Sequence, residues 1–303
     1  MADRTRLPIQ RRITTWIPFV WLLIFFLAPF LIVLKISFST VNMGQPPYLP
    51  VFNSIAEIPE KIRELSFANY AYFFSYPLYW KAYLSSVWIA AVSTFIALLV
   101  GYPIAYGMAR ARPSIRPILV MLVILPFWTS FLIRVYALIG ILKPDGLLTL
   151  ALQSIGILGD GEQVHIMNTN WAVYVGIVYS YLPFMVLPLY ASLEKLDHTL
   201  LEAASDLGSP PWKSFWQITF PLSLPGVIAG SMLVFIPATG EFVIPDLLGG
   251  SDTLMIGKTL WDEFFHNRDW PMASTVATIL LIVLVVPIVF FQNTQAKNRE
   301  QNR

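Results

Sequence analysis

Six apolar stretches, at roughly 17–37, 84–109, 117–142, 171–193, 223–248 and 272–292, decide the solvent in which this chain folds. Each is close to the ~20 residues that a helix needs to cross a hydrocarbon core. Inside lipid every backbone amide must be satisfied within the segment, so each stretch is predicted to be helical. The chain reads as an all-α integral membrane protein with six transmembrane helices. Composition agrees: 13% of the 303 residues are charged, against about 25% in soluble domains. The first stretch, "IPFVWLLIFFLAPFLIVL", is too long for a signal-peptide core and is followed by no small-residue cleavage site, so it reads as a retained anchor. The expected layout is a short N-terminal segment 1–16, a membrane domain 17–293 and a tail 294–303.

Several chemistries are excluded early. The chain has no cysteine, which rules out disulfides, thiolate metal sites and a Cys nucleophile. Its three histidines, His165, His198 and His266, show no metal-ligand spacing. "MIGKT" at 255–259 resembles the end of a phosphate-binding loop, but Asp252 stands where that loop needs its first Gly. A carboxylate there would repel phosphate. No paired-carboxylate or Gly-x-Ser-x-Gly constellation lies in the spans. A net charge of +2 gives no reason to expect nucleic acid. The reading is therefore a chain that is no enzyme, with no cofactor or metal of its own.

The distribution of Lys and Arg orients the spans. With six crossings, Arg4, Arg6, Arg11, Arg12, Arg110, Arg112, Arg116, Lys195, Lys213, Lys297, Arg299 and Arg303 share one side. The other side holds fewer cations in longer loops: Lys35, Lys61, Arg63, Lys81, Lys143, Lys258 and Arg268. Both termini and the 194–222 segment are thus expected on the cytoplasmic side. The opposite side carries eleven carboxylates, Asp160 and Asp246 among them, read as solvated loop charges or as a mild attraction for cations.

The 194–222 segment is too ordered for a tether. "TLLE" reads as a capping box, with Thr199 as N-cap, Glu202 three residues on and Asp197 as a competing cap. Leu200, Ala203, Ala204 and Leu207 then recur at i, i+3, i+4 and i+7, forming one apolar stripe. Gly208 is placed to end the helix in the left-handed conformation. Ser209 is expected to cap a second helix with Pro210 at its first position, running to Pro221. The polar face offers Glu202, Ser205 and Asp206, whereas a helix lying on headgroups favours Lys and Arg there. Docking into a protein groove is the better reading.

"EAASDLG", then nine residues, then "ITFP" is similar to the EAA signature of ABC importer permeases. Glu202, Ala203, Ala204, Gly208, Ile218 and Pro221 match in place, and Phe220 stands for the usual Leu. The resemblance implies a type I ABC importer permease fold in which this segment is the coupling helix, seated in a cleft of an ATPase subunit. A stiff helix–Gly–helix can carry force, which a flexible linker cannot. ATP and Mg²⁺ would then belong to partner subunits.

Ionisable residues inside spans default to functional hypotheses. Glu241 lies in "FIPATGEFVIPDLLGG", where Pro237, Gly240 and Pro245 interrupt the fifth span and Asp246 follows. Broken helices are tolerated where they line a cavity. Glu241 either faces such a pathway, as a cation would require, or pairs with Arg134 or a neighbouring subunit. Trp128, Tyr136, Tyr179 and Tyr181 supply aromatic faces for cation–π contact with ammonium groups, or serve as ordinary interfacial aromatics. Stretches such as "VILPFWTSFLIRVYALIGILK", "GSMLVFIPATGEFVIPDLLGG" and "WDEFFHNRDWPMAS" resemble the polyamine branch of these permeases, its putrescine importers in particular. That resemblance implies an inner-membrane subunit paired with a second permease, two copies of a cytoplasmic ATPase and a periplasmic polyamine-binding protein. Spermidine or another small solute is the alternative cargo. An ion-coupled secondary carrier would need an internal repeat, and none is read.

Overall fold

The computed structural model describes residues 9–52, 54–159, 161–197 and 199–301, with side chains from Trp16 to Val285 apart from that of Ile55. Arg4, Arg6, Asp160, His198 and Arg303 lie outside the described residues, as do the side chains of Arg11, Arg12, Lys297 and Arg299. All six apolar stretches fall on helices. Among the described residues four helices are long and apolar enough to cross a bilayer: Trp16–Ser37, Pro77–Arg110, Asn170–Leu193 and Pro211–Thr239. A bent pair, Arg116–Trp128 and Phe131–Leu142, makes a fifth if taken as one span. The described apolar part of the last helix is shorter, Trp270–Val285.

Three elements differ from the sequence reading, each for a local reason. The 117–142 stretch is no single rod, because its two halves meet at 90°. Pro126 removes a backbone donor, and Thr129 and Ser130 turn extended, with ψ of 149° and 139°. The Pro126 carbonyl at the break accepts from both the Thr129 hydroxyl at 2.8 Å and the Thr129 amide at 3.3 Å. The 223–248 stretch ends at Thr239, and a separate helix, Val243–Leu248, follows. Its start is earlier than read: helix runs without interruption from Pro211. Pro210 lies outside it because a residue before proline is pushed from helical to extended backbone, here ψ 153°. The run does not stop at Pro221. A π-helical turn, Phe215–Thr219, precedes that proline and widens the backbone where its ring would otherwise collide. Finally, a two-stranded antiparallel ribbon pairs Thr40 with Leu49 and Val41 with Tyr48, outside any span.

Contacts divide the chain into two compact units, up to Trp80 with Leu260 onward, and Lys81–Thr259. In the first, the last helix packs on the end of the first one and on Ala68–Ser75. The Ser37 carbonyl, left without an intrahelical partner at its helix end, accepts from Asn69 Nδ2 at 2.9 Å and Thr275 Oγ1 at 3.1 Å. Glu263 is buried and accepts from Tyr79 Oη at 2.8 Å and Asn267 Nδ2 at 2.9 Å. Asp269 caps the last helix through the Met272 amide at 2.8 Å, while burial pushes its carboxyl above the usual range.

In the second unit, Asn170–Leu193 and Pro211–Thr239 form the dominant helix pair. Gly226 and Gly230, four residues apart, let the backbones meet. A Cβ on Gly226 would lie 2.6 Å from Ser192 Cβ and 2.8 Å from the Pro188 carbonyl. One on Gly230 would lie 2.9 Å from Met185 Sδ. Met185, Val186, Leu189, Val227 and Val234 complete that seam. A second cluster, with Ile177, Val135, Leu138, Ile244 and Leu248, joins the bent pair to the broken helix. Gly226→Ala is expected to destabilise the chain by about 1–3 kcal/mol through overpacking. Gly140→Ala, where a new Cβ meets nothing within 4 Å, should be neutral or mildly stabilising. Denaturant unfolding of the two variants in detergent checks the contrast.

Candidate functional sites

The 199–221 segment is the first candidate. Thr199–Asp206 is an eight-residue helix with no buried residue. Thr199 is its first helical residue and does not cap it, because its amide is given to Asp197 Oδ1 at 3.0 Å. Asp197 therefore acts as the cap, a role in which Asp is preferred to Thr. The helix ends in a Schellman turn. Gly208 has φ of 76°, its amide donates to the Ser205 carbonyl at 2.8 Å, and the Ser209 amide donates to the Ala204 carbonyl at 2.9 Å. Ser209 does not cap the next helix, since its hydroxyl accepts from Ser214 Oγ at 3.1 Å. Of the apolar stripe, Leu207 is 89% exposed, Leu200 and Ala203 are also exposed, and Ala204 is half-buried. Glu202 and Pro221 are exposed and Ile218 is half-buried. This is an ordered amphipathic helix whose apolar face is left largely exposed among the described residues.

The second candidate is a cavity of about 380 Å³ at the two helix breaks. Glu241 is 7% exposed and sits in the gap between Thr239 and Val243. Its Oε1 accepts from the amides of Phe242, Val243 and Ile244 at 3.2, 3.0 and 3.4 Å. Its Oε2 accepts from the Tyr181 hydroxyl. A carboxylate at a helix start satisfies amides that have no partner and meets the positive end of the helix dipole. The rest of the wall comes from Phe127, Phe131 and Arg134 of the bent pair and from Ser180, Tyr181 and Phe184 of the 170–193 helix. Arg134 is 8% exposed, and its guanidinium lies 5.3 Å from the Phe127 ring centre and 5.8 Å from that of Phe131. No ion pair within 4.0 Å joins Arg134 to Glu241, although both line the cavity.

Of the predicted pathway residues, the structure brings Glu241 and Tyr181 together and leaves three elsewhere. Asp246 is exposed and pairs with Lys258 at 3.3 Å. Trp128 and Tyr136 are exposed and do not line the cavity. The sequence reading missed Ser180 and four phenylalanines, Phe127, Phe131, Phe184 and Phe242. The spacing Phe127, Phe131, Arg134 (i, i+4, i+7) was an available sign of one helix face, although a 90° break intervenes.

Interrupted apolar helices around a cavity lined by buried groups of both charge signs are the architecture of a membrane transport component. The chain belongs to the family of binding-protein-dependent transport system inner membrane components, whose model matches residues 93–297. It is 40% identical over 291 residues to the spermidine/putrescine transport system permease protein PotB of Haemophilus influenzae, covering 96% of each chain. It is 41% identical over 225 residues to the protein of that name from Escherichia coli K12, covering 74% of this chain and 81% of the relative. These relatives are transport permeases, not enzymes. A bacterial ABC transporter that imports the acidic polysaccharide alginate shares the fold, with a TM-score of 0.66 at 18% identity over 96% of this chain and 97% of that one.

Removing the Glu241 carboxylate should loosen the break. Glu241→Ala is expected to cost about 1–3 kcal/mol, since buried amides lose their acceptor, and Glu241→Gln less. Unfolding of both variants in detergent, beside Tyr181→Phe, measures the difference.

Proposed function

We propose that this chain is one membrane-spanning permease subunit of an ATP-driven importer that carries a polyamine, putrescine or spermidine, from periplasm to cytoplasm. The observation that carries the reading is the 199–206 helix. It is ordered, capped at both ends and apolar on a face left open. After the turn at Gly208 and two further residues, it leads into the helix that ends beside the cavity. An uncovered short helix of this kind suits a cleft in a separate subunit.

In this reading the 199–208 helix and turn dock on an ATPase subunit, where ATP and Mg²⁺ are bound, and Glu202, Ala203, Ala204, Gly208, Ile218 and Pro221 are the coupling residues. A second, similar permease, a second ATPase copy and a periplasmic binding protein complete the importer. Both termini and the 194–222 segment face the cytoplasm. ATP closes the ATPase pair, the docked helix moves, and the cavity opens outward. Hydrolysis reverses this. Polyamine cargo is supported by the names of the relatives and by a cavity that offers a carboxylate and aromatic faces.

Three outcomes are expected. In membrane vesicles with the assembled importer, Gly208→Pro and Glu202→Lys should each abolish coupled uptake and substrate stimulation of ATPase activity while the chain still inserts. Proline fixes φ near −65°, whereas Gly208 has φ of 76°. Survival of both activities in both variants removes the docking assignment. Glu241→Gln should lower putrescine uptake by at least about tenfold, on the scale of one charged contact. Unchanged kinetics remove Glu241 from the pathway. In this cysteine-free chain, a single Ser209→Cys should react with an impermeant maleimide only from the cytoplasmic face.

A further inference from the structure

The cavity has a second polar side. Glu241 is already committed to three amides and the Tyr181 hydroxyl. Opposite in charge, Arg134 is buried and, among the described residues, has no ion pair, and its Nε and Nη1 have no acceptor within hydrogen-bond distance there. Ser180, 2% exposed and lining the same cavity, also has no partner for its hydroxyl. Burying an ionised group without an acceptor is costly, and the cost persists only where something else offsets it. The rings of Phe127 and Phe131 lie near the guanidinium without consuming an N–H, so its donors stay available. A guanidinium with unpartnered N–H groups on Nε and Nη1 is a charged donor for a carboxylate oxygen. A small hydroxyl in the same wall adds a third donor.

We propose that Arg134 and Ser180 form a carboxylate-binding subsite in this cavity, beside the Glu241–Tyr181 wall. The carboxylate has two possible sources. A cargo amine carrying a carboxylate would place its ammonium toward Glu241 and the aromatic rings, and its carboxylate on Arg134. Alternatively, an acidic side chain of the second permease enters the cavity and neutralises Arg134 when the pair assembles. The subsite itself rests on the residues of this chain alone. Only the identity of its occupant leans on the importer reading.

The test compares putrescine with ornithine, which adds one carboxylate to the same diamine. Binding of each, and of acetate, is measured by calorimetry on the complete complex in nanodiscs, for wild type, Arg134→Met, Arg134→Lys and Ser180→Ala. Pairing with the second permease is measured by co-purification, and monodispersity and thermal midpoint report folding. A cargo carboxylate predicts that ornithine and acetate bind the wild type at least about tenfold more tightly than they bind Arg134→Met, with putrescine unaffected. A partner carboxylate predicts no such discrimination, but pairing that fails in Arg134→Met and is partly kept in Arg134→Lys. If ornithine, acetate and pairing are all indifferent to Arg134→Met and Ser180→Ala in folded protein, water solvates the guanidinium and the subsite is overturned. A wild type that binds acetate through Arg134 but shows no putrescine-stimulated ATPase activity keeps the subsite and removes the polyamine reading.

Discussion

A helix can stop inside a membrane only if something answers its exposed amides, and here that is the Glu241 carboxylate. Three consecutive backbone N–H groups, those of Phe242, Val243 and Ile244, converge on one of its oxygens. Without that acceptor the gap between Thr239 and Val243 would leave three backbone donors without a partner. The same carboxylate binds Tyr181 and so joins the broken helix to its main packing partner. The break, the cavity and the packing of Asn170–Leu193 on Pro211–Thr239 are therefore linked through one side chain.

The cavity owes its shape to two interruptions with different causes. On one side, Pro126 and the extended Thr129 and Ser130 turn the chain by 90° and present Phe127, Phe131 and Arg134. On the other, the gap at Gly240 presents Glu241. Between them the 170–193 helix stays continuous through Pro183 and Pro188, and contributes Ser180, Tyr181 and Phe184. The uninterrupted element is the one pressed against Gly226 and Gly230, where close backbone contact resists distortion.

Much of this was legible in the sequence, because the signals were local. Apolar length placed the helices, and Gly208 marked its turn because little else tolerates positive φ. The spacing of Leu200, Ala203, Ala204 and Leu207 disclosed a face that the fold leaves open. What escaped depended on pairs of elements or on competing local rules. Pro210 looked like a first helical residue until Pro211 forced it extended. Pro221 looked like a stop, yet a π turn absorbed it. That Tyr181 meets Glu241 sixty residues away, or that Asp246 turns to Lys258, follows from packing and not from spacing. Arg134 and Glu241 were natural partners on paper. In the fold each faces the cavity with its own set of neighbours.

The continuity of Pro211–Thr239 has a geometric consequence. Twenty-nine residues without a break make a rod of roughly 43 Å at 1.5 Å per residue. Pivoting it about one end sweeps the other by about 0.75 Å per degree. A tilt of some ten degrees would thus displace the residues beside Gly240 by about 7–8 Å, with no bond in the rod remade.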